Sequence, residues 1–402
     1  MTNLPQGWKM ETLGEILSSD KYSIKRGPFG SALKKSFFVE KGIRIFEQYN
    51  PINNDPHWKR YFISHEKFQE LEAFKATEGD LLISCSGTLG KIVELPKDTE
   101  MGIINQALLK IRLNNIKILN SYFIYYFNSP IMQEKILEST LGSAIKNIAS
   151  VKILKQIEIP LPPLKKQERI VGILDESFAK IDESIKILEQ NLLNLDELMQ
   201  SALQKAFNPL KDNAKENYKL PQFWEWKSLE EISENISAGG DKPKNCTESK
   251  TAKNQIPVYA NGVNNNGLVG YTDKATIIKP SLTISARGTI GFVCIRKEPY
   301  FPIVRLISLI PCENILCLHY LYFCLNFFIA KGEGSSIPQL TIPKFKSLQI
   351  PLPPLKEQEQ IAKHLDFIFE KTKALKELYT KELKDYEELK QSLLNKAFKG
   401  EL

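Results

Sequence analysis

The sequence predicts an α+β protein made by tandem duplication: two mixed α/β blocks, each followed by a long helix. The two helices are expected to pair as an antiparallel coiled coil, giving the chain pseudo-twofold symmetry. Three observations carry this reading. First, "IPLPPLKKQERIVGILD" (159–175) returns as "IPLPPLKEQEQIAKHLD" (350–366), with 14 identities over the 24 positions 159–182 and 350–373. Second, "QSALQKAF" (200–207) matches "QSLLNKAF" (391–398) at the same offset of 191, as one uninterrupted helix between the two matches requires. Third, the blocks themselves echo each other. "LPQGWKMETLGEI" (4–16) is matched by "LPQFWEWKSLEEI" (220–232), and "LISCSGTLG" (82–90) by "TISARGTIG" (283–291). The resulting division is 1–158, 159–208, 209–349 and 350–402.

The first block contains "GDLLISCSGTLGKIVEL" (79–95), which reads as strand, tight turn, strand, with glycines supplying the turn geometry. "SYFIYYFNSPIMQEKILEST" (121–140) reads as helical, with a break near Pro130. Pro162 and Pro163 cannot continue a helix and favour extended backbone before them, so the first long helix starts after them. No proline follows before Phe207, and Gly172 is the sole glycine. Leu174, Phe178, Ile181, Ile185, Leu188, Leu192, Leu195, Met199, Ala202 and Ala206 alternate in steps of four and three, a heptad seam. In the second block "LTISARGTIGFVCI" (282–295) repeats the hairpin, and "ENILCLHYLYFCLNFFIAKG" (313–332) repeats the helix. "YANGVNNNGLVGYT" (259–272) reads as an Asn/Gly-rich loop. The second seam runs Leu365, Ile368, Thr372, Leu375, Tyr379, Glu382, Tyr386, Leu389, Leu393, Lys396. Its interruptions at Thr372, Glu382 and Lys396 are where a bend or a partner contact is expected. Antiparallel pairing of the seams would set the two blocks at opposite ends of one rod.

At 402 residues the chain is too long for one ordinary core, and 42% apolar with 25% charged residues describes a soluble globular protein. No apolar run approaches the ~20 residues of a membrane span. The opening "MTNLPQGWKM" lacks the charge and apolar core of a secretory signal. Six unevenly spaced cysteines read as reduced thiols, so the chain is expected in the cytoplasm. The net charge of +7 is unevenly spread. Residues 1–164 carry +4 and 208–355 carry +5, whereas 165–207 carry −2 and 356–402 are neutral. Two positive blocks joined by neutral connectors suit a polyanionic partner.

Catalytic signatures are missing from the sequence. There is no Asn- or Asp-Pro-Pro-aromatic motif for amino methylation, no G-x-G-x-x-G and no P-loop, and the acidic residues form no nuclease cluster. "GTLGK" (87–91) lacks P-loop spacing, although its turn amides could touch a phosphate. Cys312, Cys317, His319 and Cys324 are zinc-type ligands at no standard spacing. At an offset of 197 the last three align with Asn120, Tyr122 and Phe127, so packing on a buried helix is the better account, and no metal or other cofactor is expected.

Taken together, two "LPxxW" openings (Leu4, Pro5, Trp8; Leu220, Pro221, Trp224), two "GTxG" hairpins and two "PLPPLxxQxxI" helices resemble a type I restriction-modification specificity subunit, HsdS. The resemblance covers the whole chain. "INQALL" (104–109) fits the family, whereas "FPIVRLISL" (301–309) lacks the Asn-Gln pair. The resemblance implies two target recognition domains, each reading one half of a split double-stranded DNA sequence in a bacterial or archaeal cytoplasm. It also implies docked methyltransferase subunits, two on the logic of the duplication, with restriction/translocase subunits joining them. The chain itself would be non-catalytic. Two other classes remain open on the residues: a specificity subunit of another methyltransferase-linked defence system, and a coiled-coil scaffold that binds no DNA.

DNA contact then falls to loops of the basic blocks. The candidates are Lys25, Arg26, Lys34 and Lys35 around a Gly-Pro turn, Trp58, Lys59 and Arg60, and Thr88 with Lys91 on the hairpin. In the second block they are Lys242, Asn261, Asn264, Asn265, Asn266, Arg287 and Thr289, with Arg305 ranked behind them. Basic groups suit phosphates, and Arg, Asn and Gln read base edges. Singly, each is equally a solvated charge or a turn residue; the set is what points to DNA. Pro162, Pro163 and Gln167, repeated as Pro353, Pro354 and Gln358, form a rigid loop-to-helix joint. Because they recur, they are also expected to offer equivalent docking surfaces to two copies of one partner.

Overall fold

The computed structural model describes residues 5–138, 148–207, 220–329, 332–333 and 340–402. Leu4 of the first opening motif and the expected 208/209 boundary lie outside them. The chain forms two compact units, one of Met1–Leu188 with Lys381–Leu402, the other of Glu189–Thr380. Each unit therefore holds one globular block and part of both long helices.

The blocks are built alike. In the first, an antiparallel sheet has the spatial order Ile24–Arg26, Leu108–Ile111, Leu81–Ser84, Ile92–Glu94. In the second, Ser233–Ala238, Ile307–Pro311, Ser281–Ile284 and Val293–Arg296 repeat that order. The central strands "LLIS", "LLKI" and "SLTI" are buried at every position, so their apolar residues do not alternate strictly with polar ones, and Ser84, Lys110, Ser281 and Thr283 are buried with them. Each block also contains a parallel pair: Ile43–Phe46 beside Gly102–Ile104, and Ile256–Tyr259 beside Phe301–Pro302. Part of the expected Asn/Gly-rich loop is in fact the strand Leu268–Thr272, paired with Ile256–Tyr259. The helical expectation for 121–140 becomes Asn120–Phe127 and Pro130–Glu138, split before Pro130, with 139–140 outside the described residues. Its counterpart is shorter than expected, Leu318–Phe328, with 330–331 also undescribed.

The long helices run Leu164–Phe207 and Leu355–Lys399 without interruption. They pair antiparallel. In the first unit Lys390 is paired with Asp182, and in the second Lys376 with Asp196, so a step of 14 forward on one helix is 14 backward on the other. The carboxylates of these ion pairs are exposed, so the pairs weigh little; the seam carries the energy. In the first helix Leu174, Ile181, Leu188 and Leu195 are buried as expected. Toward both C-termini the buried face moves one residue off the strict heptad, to Leu203 and Phe207 and to Leu394, Ala397 and Phe398. There each helix end leaves a purely helical seam and enters a block core. Phe207 meets the Tyr320 ring at 5.7 Å, and Phe398 meets Tyr122 and Tyr126 at 5.4 and 5.1 Å. Exposed Lys396 thus follows from this drift. Thr372 does not open the seam either: it is 2% exposed and its Oγ1 donates to the Ile368 carbonyl at 2.7 Å.

The proline-led joint is duplicated atom for atom. Pro160 and Pro351 lie in strands Glu158–Leu161 and Gln349–Leu352, which pair with Lys9–Thr12 and Glu225–Ser228, the openings of the blocks, and Pro162, Pro163, Pro353 and Pro354 fall between strand and helix. Gln167 accepts from the Leu119 amide (2.9 Å) and donates to the Lys117 and Pro162 carbonyls (2.9 and 2.8 Å). Gln358 accepts from the Cys317 amide (2.8 Å) and donates to Ile315 and Pro353 (2.9 and 2.8 Å). Both side chains are fully buried. The expectation that they present a docking surface is therefore corrected: each amide satisfies main-chain groups stranded where a loop meets a helix start. Pro162 and Pro353 are buried with them, and Pro163 and Pro354 are exposed.

These contacts also correct the alignment offset to 198, since Cys317 matches Leu119 and Tyr320 matches Tyr122. Both tyrosines donate to a proline carbonyl of the joint, Pro160 and Pro351, at 2.8 Å. His319 then sits beside Asp366 (Nδ1 to Oδ2, 2.7 Å), and Cys324 is buried in the core.

Candidate nucleic-acid interface

In each block four loops converge at one end of the main sheet, held by equivalent hydrogen bonds. In the first block the Gly27 amide donates to the Leu108 carbonyl (2.9 Å), Asn105 to Phe46 (3.0 Å) and Cys85 to Ala107 (2.8 Å). A Cβ on Gly27 would lie 1.8 Å from the Asn105 carbonyl oxygen, so only glycine permits that approach. In the second block Gly239 donates to Leu306 (2.8 Å) and Ile303 to Tyr259 (2.8 Å), and a Cβ on Gly239 would lie 2.5 Å from the Pro302 carbonyl carbon. "INQA" and "IVRL" are thus spatially equivalent turns despite the missing Asn-Gln pair. Asn105 closes the first through its own Oδ1, which accepts from Ala107 (3.0 Å). In the second, Asn261 does so from a different loop, accepting from Ala286 (2.8 Å) and donating to Val304 (2.7 Å).

The candidate residues divide accordingly. Lys34, Lys35, Arg60, Thr88 and Lys91 are exposed on or beside the first cluster. Arg60 lies over the Tyr61 ring at 4.8 Å. Arg26 closes its strand next to Gly27, 5.9 Å from the ring of Phe29, which is 72% exposed. Lys25 lies over Tyr22 and Phe74, and Lys59 is paired with Glu100 at 2.6 Å, so both ammonium groups are already engaged. Trp58 is half-buried and stacks on Tyr49 at 4.3 Å; its part is to hold the loop. In the second block Lys242, Asn264, Asn265, Asn266 and Arg287 are exposed, whereas Asn261 is a brace between loops. Thr289 is half-buried and its strand pairs with Gly332–Glu333.

Several contributors escaped the sequence reading. Arg44 is 1% exposed inside an apolar strand, lies 4.1 Å from the Phe46 ring, and donates to the Pro56 and Trp58 carbonyls at 2.9 and 2.7 Å. Arg296 is 8% exposed, lies 3.5 Å from the Tyr259 ring, and donates to the Asn266 carbonyl at 2.5 Å. Each buried guanidinium thus ties down a polar loop through main-chain oxygens. The loop that Arg296 holds has Asn265 and Asn266 at φ 48° and 51°, a left-handed pair that Asn tolerates. Val304 and Arg305 follow suit at 53° and 59°, and for a β-branched valine that is a strained position. Arg305, ranked low from the sequence, belongs to the convergent cluster because its main-chain N–H donates to the Gly239 carbonyl at 2.8 Å. A single Arg within "IRIF" or "VCIR" was the available signal for the two braces.

One acid stands among the basic groups of the first cluster. Glu47 follows the strand Ile43–Phe46 and borders a cleft of about 190 Å³ with Lys35, Phe38, Tyr61, Asn105 and Gln106. Burial pushes its carboxyl above the ordinary range, against the opposing pull of Arg60. Arg112, by contrast, is neutralised by Asp80 (2.8 Å) and Asp20 (3.0 Å) and adds nothing to the positive face. Among the described residues no helix is long and apolar enough to cross a membrane.

Comparison with known proteins agrees with this architecture. A family model described as the type I restriction modification DNA specificity domain matches residues 5–193 and 221–385. A putative type I specificity subunit of Mycoplasma pneumoniae is 33% identical over 224 residues, 54% of this chain and 57% of that protein. The matched stretch therefore spans little more than half of that relative. A chain in a solved structure on complex assembly and conformational transition of the type I R-M system superposes with a TM-score of 0.81. It is 21% identical, with all of both chains covered. The HsdS subunit from Thermoanaerobacter tengcongensis superposes at 0.63 with 20% identity, covering 99% of this chain and 98% of that one. The two superpositions show a shared fold, and the family model, matching most of the chain in two tandem stretches, shows that this protein belongs to the type I restriction-modification DNA specificity family.

Proposed function

We propose that this chain is the sequence-reading, non-catalytic subunit of a type I restriction-modification complex acting in the cytoplasm. Each block reads one half of a bipartite double-stranded DNA target, and the helix pair sets the spacing between the halves. The observation that carries this reading is the duplicated loop cluster. Two like sheets each gather exposed Lys and Arg side chains at one end, joined in the second block by Asn264, Asn265 and Asn266, within the two stretches that carry the chain's positive excess. Lysines and arginines would hold phosphates, and Asn, Gln and Arg would face base edges.

Methylation and cleavage would fall to partners, two methyltransferase subunits and the restriction/translocase subunits joined to them. The buried glutamines do not supply that contact. Exposed apolar side chains on the long helices are better suited: Ile187 in one unit, and Leu193, Leu198, Phe367 and Leu378 in the other, are all 50–59% exposed. The test is to express the chain with its methyltransferase subunits in a host lacking other DNA methylation and to sequence the modified bases. A two-part motif with a fixed gap is expected. A single continuous motif, or methylation unaffected by omitting this chain, would overturn the proposal.

A further inference from the structure

We infer that Glu47 reads the exocyclic amino group of a base, the N4 amine of cytosine or the N6 amine of adenine, in the half-site contacted by the first block. The inference rests on the DNA-reading proposal and adds to it a residue and a chemical group.

Glu47 is out of place on electrostatic grounds. A surface that meets phosphates gains from cations, and an acid there repels the backbone. Yet this acid sits at the convergent end of the sheet, in a cleft shared with Lys35, Asn105 and Gln106 and walled by the Phe38–Tyr61 ring pair (centroids 4.6 Å apart). Its Oε2 is buried and has no hydrogen-bond partner among the described residues. The carboxylate also makes no ion pair among them, although Lys35 lines the same cleft. A desolvated, unmatched acceptor costs stability, and a donor arriving with a ligand relieves that cost.

The backbone around Glu47 is well fastened. Its amide donates to Asn50 Oδ1 at 2.9 Å, and Asn50 in turn donates to the Asp55 and Trp58 carbonyls. The carboxylate is therefore an acceptor presented on a braced turn. Of the groups that B-DNA offers in the major groove, only the amines of cytosine and adenine donate, and carboxylates pair with them where Lys and Arg cannot. Arg60, over the Tyr61 ring beside the cleft, is placed to hold an adjoining phosphate.

The experiment uses the full chain assembled with its methyltransferase subunits. Duplexes carrying the mapped target are prepared in which one cytosine or adenine at a time lacks its exocyclic amine, and binding is compared for the wild-type and Glu47→Leu complexes. For the wild type, one such deletion in one half-site should weaken binding by roughly 10- to 100-fold. The Glu47→Leu complex, which has no side-chain acceptor at this position, should lose that sensitivity and retain every other one. Whether the sensitive base is cytosine or adenine identifies the amine. If no single amine deletion weakens wild-type binding, or if the variant is as sensitive as the wild type to the same deletion, the inference is wrong. The wild-type arm stands whether or not the variant assembles. Absence of any two-part motif would instead sink the DNA-reading proposal.

Discussion

Gln167 and Gln358 show how one residue can define a joint. A glutamine side chain has one carbonyl oxygen and one amide NH2 group, and here every hydrogen bond it makes goes to main-chain groups that neither strand nor helix satisfies. Replacing either by alanine leaves three buried main-chain groups without partners, and a loss of roughly 3 kcal/mol is expected. Because the two sites share no partner, the double variant should lose close to the sum, which denaturant titration of the assembled complex can measure. A much smaller loss would mean that water takes over the bonds. The buried arginines work differently. Arg44 and Arg296 are held by aromatic rings and carbonyl oxygens, so each brings a charge into a core to fix a loop. Neither residue type nor spacing distinguishes such an arginine from a phosphate-binding one; burial does.

At the scale of elements, each long helix serves two cores. Its first half packs beneath its own block, and its last turn enters the core of the other. Leu394, Ala397 and Phe398 are buried with Tyr122, Tyr126 and Ile159, while Leu203 and Phe207 are buried with Tyr320 and Phe323. The C-terminal turn of the chain therefore completes its N-terminal block. Phe398→Ala should cost about 3–5 kcal/mol, with loss of protection from proteolysis concentrated in the first block. If instead the second block became labile first, the assignment of this turn would be wrong. The heptad pattern anticipated the seam through Leu195 and then diverged by one position. An α-helix turns every 3.6 residues and a strict heptad every 3.5, so a seam that ends on a globular core need not keep the coiled-coil register.

For the molecule as a whole, the charge distribution and the duplication bear on the same function. With the positive excess confined to two blocks, binding of the assembled complex to its target should weaken steeply with salt, roughly a thousandfold or more between 50 and 200 mM. A flat salt dependence would argue that phosphates are not held by these residues. The helix pair makes a second prediction. Removing one paired heptad from both helices shortens them by about 10 Å, so the gap between half-sites should shrink by about three base pairs while both half-sites stay the same. Methylation mapping of that variant would discriminate: altered half-sites with an unaltered gap would rule out the helices as a ruler.

The sequence by itself determined the duplication, the two long helices and their starts, the paired hairpins and the positive blocks. These are local or periodic properties: prolines set helix starts, glycines set turns, and a repeated apolar period survives without knowledge of what covers it. Tertiary structure alone decided which polar residues face solvent and which are spent inside. It turned Gln167, Gln358 and Asn261 from contact candidates into braces, and raised Arg305 and Glu47 from the background. It also assigned the helix ends to the opposite cores. The physical reason is the same in each case. A polar side chain acts on whatever lies within about 3 Å of it, and those neighbours come from segments tens or hundreds of residues away.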